Sequence, residues 1–381
     1  MYQWMRRSSS KRTNERYNIV FYEPGNNFTE ILIRDDYATW RKAFMKSIDD
    51  PDLEEEYDPD EDVRVRCRRT NWARTVHSTC HVFHEIAFHE ALFEQQIEHL
   101  GTGTYRDAWW FRPANVVYKT SILADPELQF DAKRFTQILT DANIMEALTA
   151  SNRITDIYGY CGSSVMTESL EDTVLSDLLG GDSKDPDDES FDKTVCQNSL
   201  TLDEKLDMAI QFSEALAELQ GYVGGAMMHG DFHSPQWFRS GKDMKLNDFN
   251  KGHIFTWDGN DYCLTERCYD GSYRAPEDLR CEDGNEASDT YSLGNNFYML
   301  LTGMWPHYEY QGERKDLYKM VGKGLKRPYI DPSFYNRSTV EDTLILLMKA
   351  CWEQDFMKRI SVFDVLKELY RVRDQGGLSQ S

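Results

Sequence analysis

No run of about 18 apolar residues, the length a membrane-spanning helix needs, occurs in the 381-residue chain, and no apolar stretch follows its basic start MYQWMRRSSSKR. Neither a spanning helix nor a secretory leader is expected. Cations are scarce: 43 Lys and Arg stand against 65 Asp and Glu, a net charge of -22. So acidic a chain is repelled by phosphate backbones and anionic lipid, which argues against nucleic acid or a membrane surface as partner. Paired cysteines are missing as well. Cys67, Cys80, Cys161, Cys196, Cys263, Cys268, Cys281 and Cys351 are scattered, with no CxxC pair. In a chain this long, that pattern predicts free thiols in a reducing compartment, cytoplasmic or nuclear, rather than a disulfide framework. One group of potential metal ligands is crowded, namely His77, Cys80, His81, His84 and His89. It fits no structural zinc spacing and reads as a packed lead-in segment.

What is present suffices for a large core. Hydrophobic residues make up 40% of the chain and aromatics 13%, which allows one two-lobed domain or two ordinary ones. Residues 1–75 read as an extension. YNIVFYE (18–24) and TEILIRD (29–35) alternate as short strands around a PGNN turn, and DDPDLEEEYDPDED (49–62) is a like-charged linker. The basic RVRCRRTNWAR that follows can pair with that run, bind a partner, or do neither. Residues 76–94 form the His-rich lead-in.

From 95 onward the periodicity is that of a folded domain. QIEHLGTGTYRDAWWF (96–111) reads as strand, glycine turn, strand, and NVVYKTS (115–121) as a strand carrying one Lys. The segment 131–150 repeats apolar residues at helical spacing through Phe135, Ile138, Leu139, Ile144, Met145 and Leu148. SVMTESL (164–170) is a further strand, and GGDSKDPDDESFDK (180–193) an exposed insertion. Thr201 and Glu204 have the spacing of a capping box at the head of a long amphipathic helix. Strands therefore precede helices, with boundaries at 95–168 and 169–372 and a tail at 373–381.

Several short motifs carry chemistry. GTGTYRDA (101–108) places Gly101 and Gly103 in a turn, and Lys119 follows sixteen residues after Gly103. HGDFHSPQW (229–237), LNDFN (246–250), RAPED (274–278), SDTYSLGNNFYMLLTGMWP (288–306) and CWEQDFMKRIS (351–361) come in that order. Together they resemble the eukaryotic protein kinase domain, over about 95–372, with a leaning to its tyrosine-kinase-like group. The resemblance implies an α+β, bilobal protein-kinase-like fold, a small strand-rich lobe with one key helix and a larger helical lobe. It implies ATP and Mg2+ as cofactors and a protein substrate or signalling partner.

Residue by residue, the resemblance makes Gly101 and Gly103 the phosphate-approaching glycines and Lys119 the strand Lys on the phosphates. It makes Asp141 the carboxylate that aims Lys119, and Asp231 the catalytic base, with His229 structural. It makes Asp248 and Gln236 the metal ligands, Phe249 a packing residue, and Ala108, Val117, Glu168 and Phe238 nucleotide contacts. Asp289 would hold the catalytic loop from below, and Arg359 would pair with Glu277.

The departures from the family pattern are informative. Arg106 stands at the third glycine and Asp141 at a Glu one methylene longer. Gly230 replaces the Arg that receives a loop phosphate, so activity is expected not to depend on loop phosphorylation; such a dependence would require another cation, Lys251 or Arg267, in that role. Gln236 replaces the metal Asn. Asn250 replaces a Gly and is expected to take left-handed backbone. His233 stands for a Lys, and Asp270 for the Thr that marks serine/threonine kinases. The expected activity is slow phosphoryl transfer to a protein hydroxyl, Ser/Thr ahead of Tyr. The alternatives are a pseudokinase scaffold, for which the paired carboxylates and Lys are unnecessary, and a small-molecule kinase of the aminoglycoside or choline type, which would lack RAPED and CWEQDFMKRIS.

Overall fold

The first part of the folded region is rich in strands and the second in helices. The computed structural model describes residues 79–84, 91, 94–103, 106–122, 132–179, 191–222, 225–256 and 262–378. The strands expected at 18–24 and 29–35, the acidic linker, the basic patch, His77, His89, most of the insertion and the last residues of the tail lie outside them.

A short helix α1 (Cys80–His84) leads to β1 (Ile97–Thr102), β2 (Arg106–Phe111) and β3 (Val116–Ser121). The helix α2 (Ala132–Ala147) then precedes β4 (Ile157–Cys161) and β5 (Ser164–Glu168). These strands form one antiparallel sheet in the order β1-β2-β3-β5-β4. Alternation along β3 sends Val116 and Tyr118 to one face, where they pack with Met166 and Phe83. Val117 and Lys119 take the other face. The register sets Ala108 directly across from Lys119, so Ala108, Val117 and Lys119 line the same side of the sheet.

The second part begins with α3 (Leu175–Leu179) and α4 (Leu202–Gln220). The Thr201 hydroxyl accepts the Glu204 N–H while Glu204 accepts the Thr201 N–H, a complete capping box. Short strands β6 (Met227–Met228), β7 (Trp237–Ser240), β8 (Asp243–Leu246) and β9 (His253–Ile254) carry the loops of the site. Next come β10 (Thr265–Glu266), α5 (Pro276–Arg280) and β11 (Asp283–Gly284). The domain closes with α6 (Ala287–Thr302), α7 (Arg314–Gly322), α8 (Thr339–Cys351) and α9 (Val362–Leu378). α6 is buried along nearly its whole length. It lies hard against α8 at Gly294, where a Cβ would come 2.8 Å from the Cys351 Cβ and 2.9 Å from the Trp352 Nε1. No helix among the described residues is long and apolar enough to cross a membrane.

The cysteine reading requires correction. Cys80 is bonded to Cys161, tying α1 to β4, and Cys268 to Cys281, joining the chain just after β10 to the end of α5. Distance in sequence hid both pairs. The fold brings their Cα atoms to 4.7 and 4.2 Å. Among the described residues the free thiols are Cys196 and Cys351. The inference from scattered cysteines to a reducing compartment thereby loses its premise.

Candidate active site

The loop 229–236 hangs from α6. Asp289, on the first turn of that helix, accepts the backbone N–H groups of His229 at 2.5 Å and Gly230 at 3.0 Å. Burial pushes the Asp289 carboxyl up to about 7, against the opposing pull of Arg267 and of these two hydrogen bonds. His229 is wholly buried. Its Nδ1 accepts the Asp231 N–H at 3.1 Å and its Nε2 lies 2.9 Å from the Asn247 carbonyl, so Nε2 carries the proton. Burial lowers its pKa to about 4, which keeps the ring neutral and that tautomer intact. The ring packs on Phe249, centroid to centroid 4.8 Å.

Asp231 is surrounded by cations. Arg274 Nη2 lies 2.5 Å from one carboxylate oxygen, and Lys251 Nζ 2.8 Å from the other. His233 Nε2 stands at 3.5 Å from the first oxygen, and the Gln236 amide donates to the second at 3.5 Å. Burial alone would raise the Asp231 pKa, but His233, Arg274 and Lys251 outweigh it and hold the carboxyl below its ordinary range.

Gly230 accounts for the next feature. Its φ is +71°, and a Cβ there would lie 2.2 Å from the Lys251 carbonyl oxygen and 2.6 and 2.7 Å from the Arg267 guanidinium nitrogens. The Arg267 side chain runs past the bare backbone. It donates to the Gly230 carbonyl at 2.9 Å and to Asp278 at 3.1 Å. The Arg274 Nη1 donates to the same Gly230 carbonyl. Two arginines, Arg267 and Arg274, thus tie the stretch before α5 to the 229–236 loop, while the β10–β11 pair and the Cys268–Cys281 bond close that stretch on itself.

Across the cleft, Lys119 is buried and donates to Asn247 Oδ1 at 2.6 Å. Burial lowers its pKa, with Arg106 adding to that and Asp141 and Asp248 opposing it. The expected Lys119–Asp141 pair is not made. Asp141, fully buried on α2, lies 2.6 Å from Arg106 Nη1, an ion pair whose angles fall outside a hydrogen bond. Its other oxygen accepts the Phe249 N–H at 2.7 Å. Arg106 Nη2 donates to Asp248 Oδ1 at 3.2 Å. Asp141 is one methylene shorter than the Glu of the family, and the longer Arg106 side chain reaches it from β2.

The hydrogen bond at the Phe249 N–H also moves the strained residue. The left-handed position in LNDFN is Asp248, with φ +64°, and Asn250 is not among the left-handed residues. That backbone turns the Asp248 carboxylate into the cleft, where Arg106 meets it.

Arg106 decides whether the metal ligands fit a metal. Mg2+ needs oxygens close to octahedral at roughly 2.0–2.1 Å. Asp248 gives one oxygen to a guanidinium, and the Gln236 amide nitrogen points to Asp231. As placed, these residues do not fit a divalent cation, and no acidic or imidazole cluster suited to one occurs among the described residues.

The remaining expected residues are placed as follows. Glu168 binds Lys245 Nζ at 2.6 Å and accepts the Asp156 N–H at 2.7 Å, so its carboxylate is spent inside the protein. Phe238 is half-buried on β7, paired with Lys245 of β8. Arg359 and Glu277 form a fully buried two-pronged pair at 2.7 and 3.0 Å, and the Ser288 hydroxyl donates to the same Glu277. Sequence reasoning missed Arg106 and Arg274 as site residues. The signal for Arg106 was its position, a long cation where a glycine was expected.

A family model described as protein kinase domain matches residues 95–371. The probable serine/threonine-protein kinase roco5 of Dictyostelium discoideum is 27% identical over 182 residues, 45% of this chain and 6% of that protein. The probable serine/threonine-protein kinase roco6 of the same organism is 24% identical over 181 residues, 44% of this chain and 8% of that protein. The receptor-type guanylate cyclase gcy-27 of Caenorhabditis elegans is 31% identical over 106 residues, 25% of this chain and 13% of that protein. The matched region spans only a small part of each of these relatives.

Proposed function

The chain belongs to the protein kinase domain family, and from that premise we propose that it transfers the γ-phosphoryl group of ATP to a protein hydroxyl, serine or threonine rather than tyrosine, at a low rate. The acceptor class follows the two relatives described as serine/threonine kinases. The observation that supports the proposal is the run of contacts from Lys119 to Asn247, next to Asp248, and from Asn247 through His229 to Asp231, with the loop hung on Asp289.

In this reading Lys119 leaves Asn247 and steadies the nucleotide phosphates. Ala108 and Val117, on the same face of the sheet, cover the base, with Phe238 below. Asp231 orients the acceptor hydroxyl and takes its proton at the carboxylate oxygen now held by Lys251. The low rate has a physical source. A carboxylate held below its ordinary pKa by Arg274, Lys251 and His233 is a weak base, and one partner must leave before an acceptor can approach. Control by a loop phosphate is unnecessary in this reading, because Arg267 and Arg274 already anchor the segment to the Gly230 carbonyl.

The second reading is a nucleotide-responsive binding module without transfer. It is favoured by one observation, that both oxygens of Asp231 are paired. Two variants separate the readings. Asp231→Asn is expected to keep ATP binding, read as a thermal shift, and to lose transfer by about 10²-fold or more. Lys119→Met is expected to lose both. Equal labelling of an acceptor protein by wild type and Asp231→Asn would remove the enzymatic reading.

A further inference from the structure

Arg106 is a buried cation at the start of β2, paired with Asp141 and Asp248. Resting on the reading that the cleft takes ATP, we infer that Arg106 is a second cation, beside Lys119, that receives the nucleotide phosphates, and that the cleft binds a nucleoside triphosphate without a divalent metal.

Four observations converge. Arg106 opens β2 beyond the glycine turn, across from Ser121, at the other end of β3 from Val116, which pairs with Glu168. Its guanidinium lies between Asp141 and Asp248, at 2.6 and 3.2 Å. A dication placed on Asp248 would share that carboxylate with the guanidinium and repel it. Driving the guanidinium out would leave Asp141 charged, fully buried and without its ion-pair partner. The present arrangement therefore opposes metal entry.

Arg106 Nη1 is buried 2.6 Å from Asp141 without an aligned hydrogen bond, so its N–H groups are not all committed to the two carboxylates. A guanidinium matches phosphate oxygens in two-pronged geometry. Finally, among the described residues nothing packed beside Gly101 or Gly103 demands glycine. A Cβ on Gly101 would meet no atom within 4 Å, and one on Gly103 only the Arg106 carbonyl at 3.5 Å. A bare backbone there serves a ligand that approaches closely.

The test is calorimetric titration of the full chain with ATP, in EDTA and in excess Mg2+. Wild type is expected to bind about equally well in both, and to bind AMP more weakly than ATP. Arg106→Gly is expected to weaken metal-free binding about tenfold to a hundredfold, the worth of one charge-assisted contact, and to recover affinity when Mg2+ is added, since Asp248 is then free. Asp248→Asn leaves Arg106 in place and should keep metal-free binding. Should Arg106→Gly fail to fold, Arg106→Lys retains the charge against Asp141 and should show a smaller loss of the same kind. Wild-type binding that requires Mg2+, or an Arg106→Gly protein that binds metal-free ATP as tightly as wild type, overturns the inference while the nucleotide reading stands. If wild type binds ATP under neither condition, the nucleotide reading itself falls, and the inference with it.

Discussion

A methyl group added at Gly230 tests how Arg267 and the Lys251 backbone are packed against the 229–236 loop. The residue has φ +71°, a conformation that costs an L side chain roughly 1–2 kcal/mol. Its Cβ would also lie 2.2 Å from the Lys251 carbonyl oxygen and 2.6 Å from the nearer Arg267 nitrogen. A backbone carbonyl cannot swing aside as a side-chain tip can, and overpacking of this kind costs about 1–3 kcal/mol. The sum is about 2–5 kcal/mol. For a domain of this size that is a fall in Tm of roughly 5–15 °C. Gly241→Ala supplies the control. Gly241 has φ +63° with no atom within 4 Å of the added Cβ, so it carries the conformational cost without the overlap. Thermal unfolding of the two variants side by side separates the contributions. Gly230→Ala should lose clearly more than Gly241→Ala, and the excess should shrink when Arg267→Ala removes one of the two obstacles. Equal losses from both glycines would refute the idea that Arg267 fills the space beside Gly230.

Three further outcomes are expected. Phosphatase treatment covering Thr256, Thr265, Tyr262, Tyr269 and Ser272 should leave transfer within about threefold, under roughly 1 kcal/mol; a silenced sample would mean that a phosphate has a binding site after all. Arg359→Met should cost about 3–5 kcal/mol in denaturant unfolding, because it strands the buried Glu277 carboxylate, and a loss below 1 kcal/mol would contradict that. Glu218 is fully buried, and burial raises its carboxyl to about 7 against the Ser151 hydroxyl that donates to it. A raised folded pKa means stability present below the unfolded pKa and lost as pH rises toward 7. Glu218→Gln should therefore match wild type near pH 4 and exceed it by up to about 3 kcal/mol above pH 7; a pH-independent difference would show that the group is not titrating in the fold.

Much of the framework was legible because it depends on local pattern and motif order. The capping box at Thr201, the two faces of β3, Asp289 beneath the catalytic loop, and the Glu277–Arg359 pair each follow from a residue type at a definite spacing. The centre of the cleft was not legible, for a different reason in each case. Asp141 had two cations within reach, and only the strand register decides that the longer Arg106 takes it. The left-handed residue fell at Asp248 rather than Asn250 because Asp141, from a distant helix, captures the Phe249 N–H. Backbone tolerance of a residue type is a weaker influence than such a tertiary hydrogen bond. The disulfides were hidden because cysteine spacing carries no information on where a sheet brings two strands and a helix together. Arg274 had no assigned place in the site, because only the fold carries its guanidinium back to Asp231.

Transfer of label from γ-phosphate-labelled ATP to an added acceptor protein, followed over hours for wild type and Asp231→Asn at matched nucleotide saturation, tests the proposed activity most directly. Slow labelling of serine or threonine by wild type, reduced about 10²-fold or more in Asp231→Asn, is the expected result. ATP binding with no labelling above the Asp231→Asn level would contradict it, and would make the cleft a binding site held shut by Arg274 and Lys251.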